Sequence, residues 1–157
     1  MGVSVSTSTP SDSGFTLIEG LIVVAFLTVL AAFAVPSVRV AQEGYRVHTT
    51  AFNVAQKLSE ARTDALKRNR QTWLLVDGIN RTAQVQTNGA TGPINIGFPE
   101  QLPQGVSFVG VSSTLQIFYD TVGRPATPPV TLQLTTTNGM TRTITVVATG
   151  RVTVTQP

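Results

Sequence analysis

Cysteine is absent from this 157-residue chain, so no disulfide can staple its fold and no redox compartment is marked in the sequence. Histidine occurs once, at His48, in a polar stretch. With no cysteine and no second histidine the usual donors of a transition-metal site are missing, and neither metal nor cofactor is expected. Charge is scarce as well: Asp, Glu, Lys and Arg make up 12% of the residues, and the acidic ones are scattered. No glycine-rich phosphate loop of the usual form occurs, and the many Ser and Thr read as β-formers on polar faces rather than as nucleophiles. These absences exclude a recognisable catalytic constellation, so an enzyme is not expected. The formal net charge of +3 is a mild basicity.

The lack of charge is most complete near the start. Residues 20–35 carry none, and 15–38 carry only Glu19. As a helix, 15–38 would reach roughly 36 Å, enough to cross a bilayer. A lone carboxylate in such a run is costly and usually functional. A secretory signal peptide is one reading, since a cut after Ala32-Phe33-Ala34 would release a soluble chain from Val35. Residues 1–14, however, hold no Lys or Arg, and Glu19 interrupts the apolar region. An ordinary membrane anchor is a second reading.

The third turns on Gly14-Phe15-Thr16-Leu17-Ile18-Glu19. This hexapeptide resembles the prepilin peptidase recognition sequence of type IV pilins and type II secretion pseudopilins. The resemblance implies cytoplasmic cleavage between Gly14 and Phe15, N-methylation of the Phe15 amine, and storage in the inner membrane before assembly. It also makes Glu19 the fifth residue of the mature chain and sets Pro36 where many pilins have a helix-bending proline. Two departures are a leader without a basic residue near Gly14, and Gly20 where Leu is commonest.

The spacing has a physical logic of its own. A new ammonium at Phe15 lies one helical turn from Glu19, so a neighbouring helix shifted along its axis can present either group to the other. A carboxylate also favours the first turn of its own helix. Orientation is ambiguous: Arg39 and Arg46 follow the run, and charge counting alone would place the C-terminal part in the cytoplasm. The resemblance implies the opposite, with the N-terminus cytoplasmic and the globular part periplasmic.

Beyond the run, Val47, Ala51, Val54, Leu58, Ala61 and Ala65 alternate spacings of four and three, which predicts an amphipathic helix face, widened by Phe52, Ala55 and Leu66. One largely continuous helix over 15–69 is expected, bent near Pro36. From residue 71 the pattern changes to short strands at 72–76, 82–87, 106–109, 115–119, 130–136, 141–147 and 152–155. Residues 89–104, rich in Gly and Pro, read as a surface loop with at most a short strand at 94–98. Asn138-Gly139 signals a type I′ hairpin. About 120 residues follow the run, enough for one small domain.

This order resembles the pilin-like group named after the pseudopilin GspH and the minor pilin FimT. The particular matches are Ala61-Arg62-Thr63-Asp64-Ala65-Leu66-Lys67-Arg68, Leu102-Pro103-Gln104-Gly105-Val106, Phe118-Tyr119-Asp120-Thr121-Val122-Gly123-Arg124 and Gly150-Arg151-Val152-Thr153-Val154. The resemblance implies an α+β, pilin-like fold with a leader (1–14), a transmembrane half-helix (15–38), an amphipathic half-helix (39–70) and a β-rich domain of antiparallel strands (71–157). Its implied role is a non-catalytic subunit near the tip of a type IV pilus or type II secretion pseudopilus, with other pilins, prepilin peptidase and the inner membrane as partners. Members of the FimT kind bind DNA in natural transformation through a Gly-Arg-x-Arg tail. Here Gly150-Arg151-Val152-Thr153 keeps only the first arginine, so a patch of Lys67, Arg68, Arg70, Arg142 and Arg151 stands as the alternative. The bland reading of Lys67-Arg68-Asn69-Arg70 is cations complementing a helix C-terminus, with Asn as the stop.

Overall fold

A computed structural model describes residues 14–156 and, within them, all side chains except those of 33–37. The expected leader falls outside the described residues apart from Gly14, and the side chain of Pro36 is outside them too. The chain forms two compact units, Met1–Arg39 and Val40–Pro157, and helix α1, Leu17–Arg68, contributes to both.

In the second unit the predicted stripe is the buried arc of α1: Val47, Ala51, Val54, Leu58, Ala61 and Ala65 have no exposed surface. Phe52 and Leu66, expected to widen that arc, are instead 53% and 49% exposed. Each follows a buried alanine, and one residue step turns a helix by ~100°, which carries both past the buried arc. The helix ends at Asn69, whose φ of 50° is left-handed, and the Arg70 amide donates to the Ala65 carbonyl at 3.3 Å. That pairing is the Schellman closure an asparagine stop permits.

Eight strands follow in two four-stranded antiparallel sheets. The first runs in the order β3 (Gly92–Gln101), β2 (Thr82–Gly89), β1 (Thr72–Asp77), β5 (Thr114–Tyr119). The second runs β4 (Val106–Val109), β6 (Val130–Thr136), β7 (Thr141–Val146), β8 (Val152–Thr155). Alternation places Leu74, Val76, Val85 and Ile117 of the first sheet and Phe108, Leu132, Leu134 and Ile144 of the second in one core with the helix arc. The fold is therefore α+β, as expected.

Two local expectations are corrected. Residues 89–104 are not mainly loop: Ala90-Thr91 form a two-residue turn between paired Gly89 and Gly92, and β3 then runs ten residues along β2. Pro93 and Pro99 are tolerated because β3 is an edge strand, where a missing amide breaks no inner ladder. Between the pairs Val85↔Ile96 and Ala83↔Glu100 the register shifts, Gly97 turns to a φ of 65°, and the Gln84 side chain donates from Nε2 to the Ile96 carbonyl at 2.9 Å. Phe98, on this bulge, is 88% exposed. The β6–β7 turn is not type I′ either, since only Gly139 of the Asn138-Gly139 pair takes a positive φ. The Gly139 amide donates to Thr136 and the Thr136 amide to Met140, the pattern of a three-residue loop closed by a left-handed glycine.

Tyr119 has no exposed surface, and its hydroxyl finds no hydrogen-bond partner in the described chain. Burial pushes the phenol up to about 12, against a smaller opposing pull from the Arg62 guanidinium. The group thus supports folding while protonated. That contribution is complete below its ordinary value of 10 and is lost as pH rises from there through about 12. Tyr119→Phe is expected to leave stability unchanged or raise it by up to ~1 kcal/mol at neutral pH, because it deletes an unsatisfied group. It should also flatten the alkaline loss, as read from urea unfolding at a series of pH values. A fragment beginning at Val40 is expected to unfold cooperatively in the same assay, since the whole core belongs to the second unit.

Candidate functional site

Two regions carry the chemistry the sequence singles out. In the first unit, Gly14, Phe15 and Thr16 precede the helix, which starts at Leu17. Thr16 is the N-cap: its Oγ1 accepts from the Glu19 amide at 3.3 Å, and its carbonyl accepts from the Glu19 and Gly20 amides. Glu19 is consequently the third helical residue, the place of the acidic partner in a Thr-x-x-Glu capping box, where the helix dipole favours negative charge. Its carboxylate is exposed and makes no side-chain hydrogen bond among the described residues. Phe15 and Leu17 are 81% and 87% exposed, and Ile18, Leu21, Ile22, Phe26, Leu27 and Leu30 are also exposed. A helix apolar on every side has no face suited to water.

Among the described residues, no helix is long and apolar enough to cross a membrane. The described apolar side chains run from Leu17 to Ala32, roughly 24 Å of axis, short of the ~30 Å hydrocarbon core. In the sequence the uncharged run continues through 33–37, whose side chains are not described.

The second region is the C-terminal end of α1. Arg68 Nε lies 2.7 Å from Asp64 Oδ1, one turn back, a pair in which the arginine is exposed and the carboxylate largely covered. Lys67 lines an open groove of about 430 Å³ between the helix and β3, shared with Glu60, Asp64, Ser59, Thr63 and Ile96. Arg70 is exposed just past the helix stop, and Arg151 is exposed after the turn that ends at Gly150. Arg142 stands elsewhere, beside His48, Phe52, Val154 and Thr155. Along the helix axis His48 is roughly 30 Å from Arg68. The groups named as one patch are thus placed at two ends of the domain, and two of the four at the helix end have carboxylates for neighbours. His48 packs edge-on against Phe52, ring centroids 4.8 Å apart.

Arg62, not singled out from the sequence, is where three of the four segments that carry the resemblance meet, those ending the helix, bearing Gly123 and starting at Gly150. Its Nε donates to the Gly123 carbonyl at 3.1 Å. The loop bearing Gly123 is closed on itself by Asp120, whose Oδ1 accepts from the Val122 and Arg124 amides at 3.0 and 2.7 Å. Gly150, at φ 79°, backs onto the same point: a Cβ there would fall 2.3 Å from the Gly123 oxygen and 2.8 Å from Arg62 Nε. Helix, β5–β6 loop and β7–β8 turn therefore meet where no side chain fits. The signal was the recurrence of Gly in two separated turn motifs, each paired with Arg, which periodicity arguments do not weigh.

No protein-family model matches the sequence, and no curated protein matches it. Solved structures do match its fold. The minor pseudopilin EpsH of the type 2 secretion system of Vibrio cholerae superposes with a TM-score of 0.60 at 16% identity, over 71% of this chain and 98% of that one. The type IV minor pilin FimU of Pseudomonas aeruginosa superposes with a TM-score of 0.52 at 14% identity, over 69% of this chain and 91% of that one. Likenesses at these identities are likenesses of fold, and the fold is pilin-like.

Gly150→Ala is expected to cost about 2–4 kcal/mol in urea unfolding, since the new methyl meets backbone at a left-handed φ. Gly139→Ala, at φ 81° with nothing within 4 Å of its Cβ, should cost only about 1–2 kcal/mol for the backbone strain.

Proposed function

We propose that this chain is a minor pilin or pseudopilin, a non-catalytic structural subunit of a type IV pilus or type II secretion pseudopilus, seated near the filament tip. Prepilin peptidase cuts after Gly14 on the cytoplasmic side, and the new Phe15 amine is methylated. Helix residues 15–38 hold the protein in the inner membrane, with 39–157 in the periplasm, until assembly packs the helix against those of other pilins. Pro36 bends it, separating membrane and amphipathic halves.

The observation that carries this reading is the helix segment Leu17–Ala32 of the first unit, exposed and apolar on every side but for Thr28, with one carboxylate, Glu19, at the third helical position. Such a surface needs lipid or other helices around it, and such a carboxylate needs a cation. The pilin-like fold of the second unit supports the same role. DNA contact is less favoured, because Arg68 is paired with Asp64 and Arg142 stands apart from the other cations.

Mass spectrometry of the membrane-extracted protein is expected to find a methylated Phe15 terminus; a terminus at Val35 would instead make it a secreted protein. Glu19→Ala should still be cut and retained in the membrane, since Gly14 and the apolar run are untouched, but should be depleted from sheared filaments. Its loss leaves a neighbouring ammonium without a counter-ion in a low-dielectric setting. Glu19→Gln should be affected less. Incorporation of the alanine variant at the wild-type level would remove Glu19 from the assembly contact.

A further inference from the structure

The outward face of the second sheet is an ordered field of hydroxyls. Its three antiparallel ladders run without a register shift, so outward residues line up in rows across the strands. One row is Thr131, Thr145 and Thr153. The next is Val109, Gln133, Thr143 and Thr155, one residue from each strand. A third is Ser107, Thr135 and Thr141. All of these side chains are exposed or half-buried, while their neighbours in sequence, Leu132, Leu134, Ile144 and Val146, fill the core. β-Propensity accounts for threonine on a strand. It does not account for the exclusion of charge from every outward position, including those on edge strands β4 and β8, where a lysine usually guards against unwanted pairing.

We propose that this face binds an uncharged, extended polysaccharide, laid across the strands with about one sugar per strand. Charge argues for the neutral occupant. The chain is formally +3, yet no outward strand position of this face is charged; its cations stand at the margins, Arg151 just before β8 and Arg142 beside Thr155, and an acidic polymer would be drawn to the helix end with Lys67 and Arg70 instead. Chemistry argues for a sugar. Each threonine presents one hydroxyl that both donates and accepts beside one methyl, and a pyranose ring likewise carries hydroxyls at its rim and C–H groups on its faces. Gln133 adds a carboxamide able to donate and accept together, and Val109 an apolar step in the same row. Spacing agrees: strands stand about 4.8 Å apart and rows about 6.8 Å apart, the former close to the advance of one ring along an extended chain. The hydroxyls are only loosely engaged within the protein. Thr153 and Thr155 donate to the Thr145 and Thr143 carbonyls at 3.4 and 3.5 Å, the long limit for such a bond, so a ligand oxygen can replace either acceptor.

The test is cosedimentation of the full-length chain, in a detergent without sugar headgroups, with amorphous cellulose and separately with alginate. Retention on cellulose that persists in high salt is expected. Thr143→Val combined with Thr145→Val keeps shape and strand propensity but removes two hydroxyls, and should weaken retention roughly tenfold with an unchanged melting temperature. Four results would overturn the proposal: no retention of the wild type on cellulose, equal retention of the double variant, salt-sensitive retention on alginate alone, or wild-type dimerisation that the same two substitutions abolish. The filament-incorporation result is independent of all four.

Discussion

Both sheets close on a helix face made almost wholly of valine and alanine, and the domain depends on that choice of small side chains. Along the buried arc of α1, Leu58 is the one large residue among Val47, Ala51, Val54, Ala61 and Ala65. The helix thus brings little side-chain volume to the core, and the sheets supply it through Leu74, Tyr119, Leu132, Leu134 and Ile144. Interiors pack at crystal-like density, so a bulkier arc would push the sheets apart and a thinner sheet lining would leave voids. No disulfide shares the task. Gly123 and Gly150 are needed for a separate reason, because loop and turn press on the Arg62 and Leu66 side chains of the helix and leave no room for a Cβ.

Much of this was legible in the sequence where one period dominates a segment. The buried arc was read from spacing alone, and most strand positions from alternation between turn residues. Legibility failed where a local rule met a tertiary exception. Pro93, Gly97 and Pro99 argue for loop when taken singly, but at a sheet edge they are compatible with pairing, and edge position is a property of the assembled sheet. Asn138-Gly139 announced the right hairpin and the wrong turn type, because loop length, set by the register of β6 on β7, decides the geometry. The hub at Arg62 was hidden for a further reason: its partners are backbone atoms of residues remote in sequence, and no periodicity records them.

The two units face opposite demands. In the second, every large apolar strand residue of the core has its partner inside the chain. In the first, Phe15, Leu17, Phe26 and Leu30 have none in the described structure. Folding of the second unit is an internal matter, whereas the first gains its hydrophobic stabilisation only from a surrounding that is not this chain. Amphipathicity passes from one regime to the other along a single helix, and only its distal half shows the 3.6-residue rhythm.

The cap at Thr16 bears on how such a chain can be shortened. The first helical hydrogen bonds are received by Thr16, two residues beyond Gly14, and of the described residues before it neither Gly14 nor Phe15 supplies one. A chain starting at Phe15 would therefore keep its helix start intact, and its only electrostatic novelty would be an ammonium beside a dipole end that is already positive. Those two like charges oppose each other, and Glu19 is the single nearby group of opposite sign. The severed end would thus be left in mild electrostatic frustration, relieved only in part by its own carboxylate, and a helix in that condition is predisposed to seek a second carboxylate from outside.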